Sequence, residues 1–179
     1  MMESDDRQII KQCLSGNKNA FELLVEKYYK IIFNVAYRMT GNTDDAEDIT
    51  QTVFIKAYEK LENYDPKHKF FSWLYRIVIN ETLNFLKVSK KSKDLDSKMI
   101  TPDKNPEERF METELGSQIQ LALMKLTPSY RLLILLRHFQ NCSYQEISES
   151  LNIPQNKVKS RLYAARQLLK NIIIEAEIS

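Results

Sequence analysis

Glycine is scarce in this chain of 179 residues, where it occurs three times. Loops that cradle phosphate groups need closely spaced glycines, so a nucleotide-binding loop of that kind is excluded. The motifs G-x-S-x-G and H-E-x-x-H, which mark serine hydrolases and zinc proteases, are also missing. The sequence therefore offers no catalytic residues and no cofactor site, and we expect a protein that is not an enzyme.

Cysteine and histidine are equally sparse. Cys13 and Cys142 lie far apart, as do His68 and His138, and neither cysteine has a partner at metal-ligand spacing. This pattern predicts reduced core thiols in a cytoplasmic protein without a metal site. No apolar run approaches the length of a membrane span, and the N-terminus lacks the pattern of a signal peptide. We therefore expect no membrane insertion.

Apolar residues with a period near 3.6 run through most of the chain and predict an all-α fold. The longest regular stretch covers residues 21–39, and Gly41 is expected to end that helix. Asp44 with Glu47 predicts the start of the next helix. A further helix is predicted over about 70–87, after a loop that contains a proline.

The segment 88–113 differs from the rest of the chain. It is polar and lysine-rich, contains two prolines and shows no apolar period. Such a composition is typical of a flexible linker. We therefore expect two small helical domains, over 1–88 and 114–179, joined by a linker over 89–113.

Charge is separated along the chain although the net charge is only +2. Residues 44–65 carry seven acidic side chains and two lysines, whereas residues 67–93 carry seven basic side chains and one glutamate. A chain with separate acidic and basic surfaces is suited to bind two proteins, or one protein and one polyanion.

The segment SYQEISESLNIPQNKVKSRLYAAR, residues 143–166, has the pattern of a helix-turn-helix. Ser143 and Glu146 form a capping-box pair, Asn152 suits a sharp turn, and Pro154 suits the first turn of a second helix. That second helix is basic, with no acidic residue between 154 and 174. An exposed, positive helix after a tight turn is typical of DNA recognition in a major groove.

Three motifs in order resemble the sigma-70 family of bacterial RNA polymerase sigma factors, in particular its extracytoplasmic-function group. DAEDITQTVFIKAY (45–58) is similar to region 2.2 of that family, and FFSWLYRIVIN (70–80) is similar to regions 2.3 and 2.4. LTPSYRLLILLR (126–137), SYQEISESL (143–151) and VKSRLYAAR (158–166) are similar to region 4. The resemblance implies a sigma factor that directs promoter-specific initiation, with region 2 and region 4 as the two helical domains.

The resemblance also implies partners: the beta-prime clamp helices and beta flap of core RNA polymerase, and promoter DNA. It leaves open whether an anti-sigma factor holds the protein inactive, and we expect a monomer when the protein is free. Region 2.2 of the family docks on the clamp helices. Carried over by position, the candidate polymerase-binding residues are Asp48, Gln51, Thr52, Phe54 and Ile55. Family members often have glutamate where this chain has Thr52, and the acids at the helix start are equally consistent with a role in complementing the helix dipole.

The loop and the following helix read and open the minus-ten promoter element in the family, by stacking on unpaired bases, bonding to base edges and contacting phosphates. The candidate residues for that element are Tyr64, Lys67, His68, Lys69, Phe70, Arg76, Asn80, Asn84 and Lys87. Phe70 and Phe71 are adjacent, so we expect one of them to be buried and the other to face DNA.

The second helix of the helix-turn-helix lies in the major groove of the minus-thirty-five element in the family. The candidate residues are Gln155, Asn156, Lys157, Lys159, Ser160, Arg161, Tyr163, Ala164 and Arg166. Lys157 and Ala164 depart from the Thr and Arg usual in the family, and Arg161 can bond either a guanine or a phosphate.

Two other classes of protein fit part of the pattern. A free-standing repressor or activator would use the same helix-turn-helix, but it normally dimerises and has no need of the first helical domain. An adaptor that binds protein with both domains would not need the basic stretch 157–170.

Overall fold

The computed structural model describes residues 2–92 and 114–178. All regular structure in these two ranges is helical, as the apolar period predicts. The helices are α1 (Met2–Leu14), α2 (Ala20–Thr40), α3 (Thr43–Glu59), α4 (Phe70–Ser92), α5 (Glu114–Lys125), α6 (Pro128–Ile134), α7 (Tyr144–Leu151) and α8 (Gln155–Ile178). A 3₁₀ turn (Leu61–Asn63) follows α3, and a π-helical segment (Leu135–Phe139) continues α6.

Helices α1–α4 form the first module, in which α2 packs against α1, α3 and α4. The apolar stripes meet in its centre, where Leu24, Ile32, Val53, Ala57 and Leu74 are fully buried. Leu24 and Ile32 are eight residues apart and Val53 and Ala57 are four apart, so each pair lies on one face of its helix and that face packs against the other helices. The predicted stripes of α2 and α3 are confirmed.

The ends of the helices follow local backbone chemistry. Gly41 ends α2 in the left-handed conformation (φ 74°), and its N–H donates to the Tyr37 carbonyl at 2.7 Å. The predicted Asp44–Glu47 cap is wrong by two positions, since Asn42 caps α3 by accepting the Asp45 N–H at 2.9 Å. Asn42 takes this role because its backbone is extended directly after the left-handed glycine.

Helices α5–α8 form the second module, and α7 and α8 are its helix-turn-helix. The capping box is present: the Ser143 hydroxyl accepts the Glu146 N–H at 3.2 Å, and the Glu146 carboxylate accepts the Ser143 N–H at 2.8 Å. Asn152 is left-handed, with φ 51° and ψ 47°, and α8 begins directly after Pro154. The turn chemistry predicted for this segment is confirmed.

The two modules pack against each other: α2 contacts α5 and α6, and α4 contacts α7. Most of the predicted linker, 93–113, lies outside the described residues. Its first four residues, 89–92, continue α4 beyond the end predicted at Lys87.

Arg131 joins the modules from the interior of the structure. Its guanidinium is buried and donates to the carbonyls of Leu123 (2.8 Å), Met124 (2.8 Å) and Leu126 (3.1 Å), and also to the Met39 carbonyl of α2. The last carbonyls of a helix have no partner within that helix. One side chain therefore satisfies the ends of α5 and α2 together.

We expect Arg131→Met to lower the free energy of unfolding by about 3 kcal/mol, because several buried carbonyls lose a charged donor at once. Urea denaturation followed by circular dichroism measures this change. Arg161→Met is the control, since Arg161 is exposed on α8 and its loss should cost less than about 0.5 kcal/mol. Equal stability of the two variants would contradict the role given to Arg131.

Candidate nucleic-acid interface

Helix α8 presents its basic face to solvent. Its inner stripe, Val158, Leu162 and Ala165, is fully buried. Eight of the nine residues predicted for the minus-thirty-five element are exposed, with Ala164 half-buried, and the Tyr163 side chain is 65% exposed. The exposed eight are Gln155, Asn156, Lys157, Lys159, Ser160, Arg161, Tyr163 and Arg166. The structure therefore brings these predicted residues together on one helix.

Two side chains that sequence reasoning missed support this face. The Tyr144 ring lies beneath the Lys159 ammonium at 5.7 Å and the Arg137 guanidinium at 5.0 Å. The Nε2 atom of His138 accepts the Nε–H of Arg166 at 3.0 Å. Burial lowers the pKa of His138, and the positive charges of Arg166 and Arg137 lower it further. The neutral imidazole can therefore hold Arg166 in place. The two residues are 28 positions apart, so the sequence pattern did not predict this contact.

Helix α4 carries a polar strip formed by Arg76, Asn80, Asn84 and Lys87, all of them exposed. Offsets of four, four and three residues place them on one face of the helix. Glu81 lies beside this strip and pairs with Lys56 of α3 at 2.5 Å. We call these four residues the α4 strip. Glu81 is occupied by Lys56, so the strip presents two cations and two amides, of which Arg76 also donates to the Glu149 carbonyl at 2.9 Å.

The loop before α4 exposes its charged side chains and buries its aromatic ones. Lys67, His68 and Lys69 are exposed and form what we call the basic loop. Tyr64 is 8% exposed and donates its hydroxyl hydrogen to the His68 carbonyl at 2.5 Å, and Phe70 is 3% exposed. The assignment of Tyr64 and Phe70 to direct DNA contact is therefore wrong. Their ring centres lie 5.6 and 5.5 Å from that of Trp73, and the three rings form an aromatic cluster against which the loop packs.

Phe71, not Phe70, is the half-buried member of the adjacent pair. Its ring packs against Tyr75 at 4.3 Å and against Tyr28 at 6.1 Å. The Tyr28 hydroxyl donates to Asp6 at 2.6 Å, and burial, followed by that carboxylate, raises the pKa of Tyr28. These ring contacts hold the start of α4, and with it the basic loop that precedes α4, against α2.

A cavity of about 310 Å³ lies beside the basic loop. It is bounded by His68 and Lys69 of the loop, by Phe71 of α4, by Tyr28 of α2 and by Glu146 of the second module. Its walls are aromatic and carry charges of both signs, since the carboxylates of Asp6 and Glu146 face it together with Lys27 and Lys69.

The acidic face of α3 lies on another side of the first module. Asp48, Gln51 and Ile55 are exposed, and Thr52 is half-buried beside them. Ile55 is 60% exposed, which is unusual for an isoleucine in a packed helix. Phe54 is 7% exposed and stacks on Tyr29 at 6.4 Å, so its assignment to this surface is wrong. It points inward because it follows Val53 at the edge of the buried stripe.

The described residues contain no group of histidine, cysteine or acidic side chains that could hold a metal ion. None of the described helices is both long and apolar enough to cross a membrane.

Two family models match the chain, Sigma-70 region 2 over residues 24–92 and Sigma-70 region 4 over residues 117–169. The ECF RNA polymerase sigma factor SigW of Bacillus subtilis is 35% identical over 181 residues, which cover 94% of this chain and 97% of SigW. The chain belongs to the extracytoplasmic-function group of the sigma-70 family. Its relatives also include the RNA polymerase sigma-H factor of Pseudomonas aeruginosa, which is 30% identical with 94% of each chain covered.

The fold of this sigma factor is also found among solved structures. CnrH, in complex with the cytosolic domain of CnrY, superposes with a TM-score of 0.74 at 23% identity, over 96% of this chain and 98% of CnrH. The sigma factor RpoE of Bartonella quintana, in complex with the anti-sigma factor NepR, has a TM-score of 0.72 at 20% identity, over 86% of this chain and 96% of RpoE. The region 2 match contains α3, the basic loop and the α4 strip, whereas the region 4 match contains α7 and most of α8.

Proposed function

We propose that this sigma factor binds core RNA polymerase through α3, reads the minus-ten element with the basic loop and the α4 strip, and reads the minus-thirty-five element with α8. The observation that carries the proposal is that each of these surfaces is exposed on an element whose opposite face is already buried. A partner can therefore contact each surface without any loss of core packing.

The α3 surface combines an exposed isoleucine with exposed polar groups, Asp48 and Gln51. Interfaces of this mixed kind suit a helical target such as the beta-prime clamp helices. The second module is the expected contact for the beta flap. An anti-sigma factor is a further expected partner, since RpoE of Bartonella quintana, which shares the fold, is bound by one.

The DNA surfaces differ in chemistry in a way that fits their two tasks. The basic loop and the α4 strip combine cations with amides that can bond an exposed base edge, and the neighbouring cavity has aromatic walls. Helix α8 instead offers a continuous exposed helical face, which suits the major groove of intact duplex. A free-standing repressor would have no use for the first surface.

Asp48→Arg should weaken binding to core polymerase by about 1–2 kcal/mol, because it reverses the charge that the α3 surface presents. Titration of labelled core polymerase measures the affinity. Glu47→Arg is the matched control, since it makes the same change one residue earlier, about 100° around the helix. If both variants bind as tightly as the wild type while remaining helical, polymerase is held by another surface.

Arg161→Ala should weaken binding of the protein to duplex DNA that carries the minus-thirty-five element, which is called the upstream element below. That element is located first by mapping transcript start sites with the holoenzyme. If Arg161 contacts a phosphate, the slope of log K against log salt should fall by about 0.9 for all sequences alike. If it bonds a base, discrimination at one position should relax by about 1–3 kcal/mol. Lys125→Ala is the control, because it removes an exposed cation of α5 that does not belong to α8. A loss as large for Lys125→Ala would refute the assignment of this face.

Asn80→Ala should reduce promoter opening by the holoenzyme, measured as permanganate reactivity of unpaired thymines, while duplex binding at the upstream element stays unchanged. The expected loss is about 1–3 kcal/mol if the Asn80 amide bonds an exposed base edge. Asn171→Ala, which removes an exposed asparagine from α8, should open promoters normally. Normal opening by Asn80→Ala would mean that the α4 strip does not read the melted strand.

A further inference from the structure

Helix α1 lies outside the surfaces assigned above, and the region 2 match begins only at residue 24, after the end of this helix. It packs against α2 and also contacts α4 and the 3₁₀ turn that precedes the basic loop. Ile9 and Ile10 are buried in that packing, which is the ordinary contact of an amphipathic helix. Asp6 is also buried, with 5% of the residue exposed, and a carboxylate is rarely found in such a position without a specific partner.

Both oxygens of the Asp6 carboxylate are bonded to α2. Oδ1 accepts from the Lys27 ammonium, and Oδ2 accepts from the Tyr28 hydroxyl at 2.6 Å. A buried carboxylate is tolerated where a cation and hydrogen bonds replace its water, and Lys27 and Tyr28 supply both. The Tyr28 ring is itself buried, and this bond holds it at its hydroxyl end. The carboxylate therefore fixes the direction in which the ring points.

A chain of direct contacts leads from the Tyr28 ring to the basic loop. The ring centres of Tyr28 and Phe70 are 5.6 Å apart, and those of Phe70 and Tyr64 are also 5.6 Å apart, with an edge-on angle of 84°. The Tyr64 hydroxyl in turn donates to the carbonyl of His68, the middle residue of the loop. Rings at these separations touch, and a closely packed interior passes a displacement on because it contains few voids. Asp6 is therefore connected to the backbone of the loop.

Hydrogen bonds inside the loop shape it but do not attach it to the module. The Lys67 N–H donates to the Asp65 carboxylate at 2.9 Å, and the His68 N–H donates to the Asp65 carbonyl at 3.1 Å. These bonds join near neighbours in the chain, so the loop can keep its shape and still shift as a unit. The ion pair of Lys69 with Glu146 is partly exposed, and pairs of that kind contribute little. The position of the loop on the first module thus depends on the aromatic contacts beneath it.

We propose that Asp6 is a positioning residue for promoter opening. Through Tyr28 and the rings next to it, Asp6 holds the basic loop in the position from which the loop and the α4 strip bind the melted strand together. A hydrogen bond to a base edge weakens steeply with distance and angle, so a small shift of the loop relative to the strip reduces binding of that strand. Helix α1, which lies outside the region 2 match, thereby belongs to the DNA-opening site. The inference rests on the proposed function of the loop and the strip.

Two variants of the full chain break these contacts at different places. Asp6→Asn removes the charge and leaves one acceptor oxygen where Lys27 and Tyr28 each had their own. Tyr28→Phe keeps the ring and removes the hydroxyl that Asp6 holds. Asp5→Asn is the matched control for charge, because it makes the same change at the exposed neighbour of Asp6. Ile10→Val is the control for packing, since it removes one buried methylene group from α1 and keeps Asp6 and its partners.

With saturating core polymerase, Asp6→Asn and Tyr28→Phe should each reduce promoter opening by about three- to ten-fold, as for the loss of one net hydrogen bond. Permanganate reactivity of unpaired thymines measures the opening. The double variant should be no worse than the more severe single variant, because both changes act on one chain of contacts. Affinity for core polymerase and for duplex DNA with the upstream element should stay within about two-fold of wild type, since α3 and α8 lie outside that chain.

The fluorescence of Trp73, the only tryptophan of the sequence, reports on the same rings. Its ring centre lies 5.6 Å from that of Tyr64 and 5.5 Å from that of Phe70. In the free, folded protein, Asp6→Asn and Tyr28→Phe should shift the emission to longer wavelength and increase its quenching by acrylamide, because the rings pack less tightly. A general loss of stability leaves the folded molecules with wild-type emission, so this measurement separates positioning from stability.

Asp5→Asn and Ile10→Val are expected to open promoters normally and to keep the wild-type emission. Normal opening by both Asp6→Asn and Tyr28→Phe would overturn the proposal. An equal loss of opening in Ile10→Val would also overturn it, because opening would then respond to any loosening of α1. The same holds for a loss of opening in the Asp6 and Tyr28 variants without a change in the Trp73 emission.

Failure of the proposed function is seen separately in a variant that combines Lys67→Ala with Lys69→Ala. Normal opening by that variant would mean that the basic loop does not read DNA, and the role of Asp6 would fail with it. Impaired opening by the loop variant together with normal opening by Asp6→Asn and Tyr28→Phe would overturn the positioning role alone.

Discussion

The buried guanidinium of Arg131 satisfies carbonyls from two helices that belong to different modules, and the relative placement of the modules depends on it. Its bonds to Leu123, Met124 and Leu126 stay within the second module, whereas the bond to Met39 crosses to the first. Arginine suits this site because its donors diverge from one rigid plane, whereas the single ammonium of lysine could not span the same carbonyls.

An arginine also bonds a carbonyl at a helix end on the other side of the interface between the modules. There Arg76, a residue of the first module, bonds the Glu149 carbonyl in the last turn of α7. Each module thus places an arginine on the C-terminal end of a helix from the other, where the helix dipole favours a positive charge. The two contacts differ in burial: Arg131 is buried and Arg76 is exposed. Loss of the Arg76 contact therefore costs less free energy of folding than loss of the Arg131 contacts would.

Most of the helices and the helix-turn-helix were predictable because their signals are local. The capping box at Ser143, the left-handed Asn152 and the apolar period of α2 each act within a few residues. The same holds for α8, where eight of the nine candidate residues are exposed because Val158, Leu162 and Ala165 define the opposite face. The positions of the aromatic residues were harder to predict, since a tyrosine or phenylalanine beside a basic loop suits both a core and a base-stacking surface. Tyr64, Phe70 and Phe54 proved to be core residues, and their local pattern does not differ from that of an exposed ring.

Contacts between the modules could not be predicted from the sequence pattern, because they join residues that are far apart in the chain. Arg131 and Met39 are 92 positions apart, and Lys69 and Glu146 are 77 apart. The structure explains how the charges of the second module are distributed along its sequence. Between positions 116 and 174 the acids lie on α7 alone and the recognition cations lie on α8, so one short helix can face the cations of the first module while the next keeps a positive surface in solvent. The Glu146 carboxylate caps α7 through the Ser143 N–H and also pairs with Lys69 of the first module. One side chain therefore stabilises both the start of the helix-turn-helix and the contact between the modules.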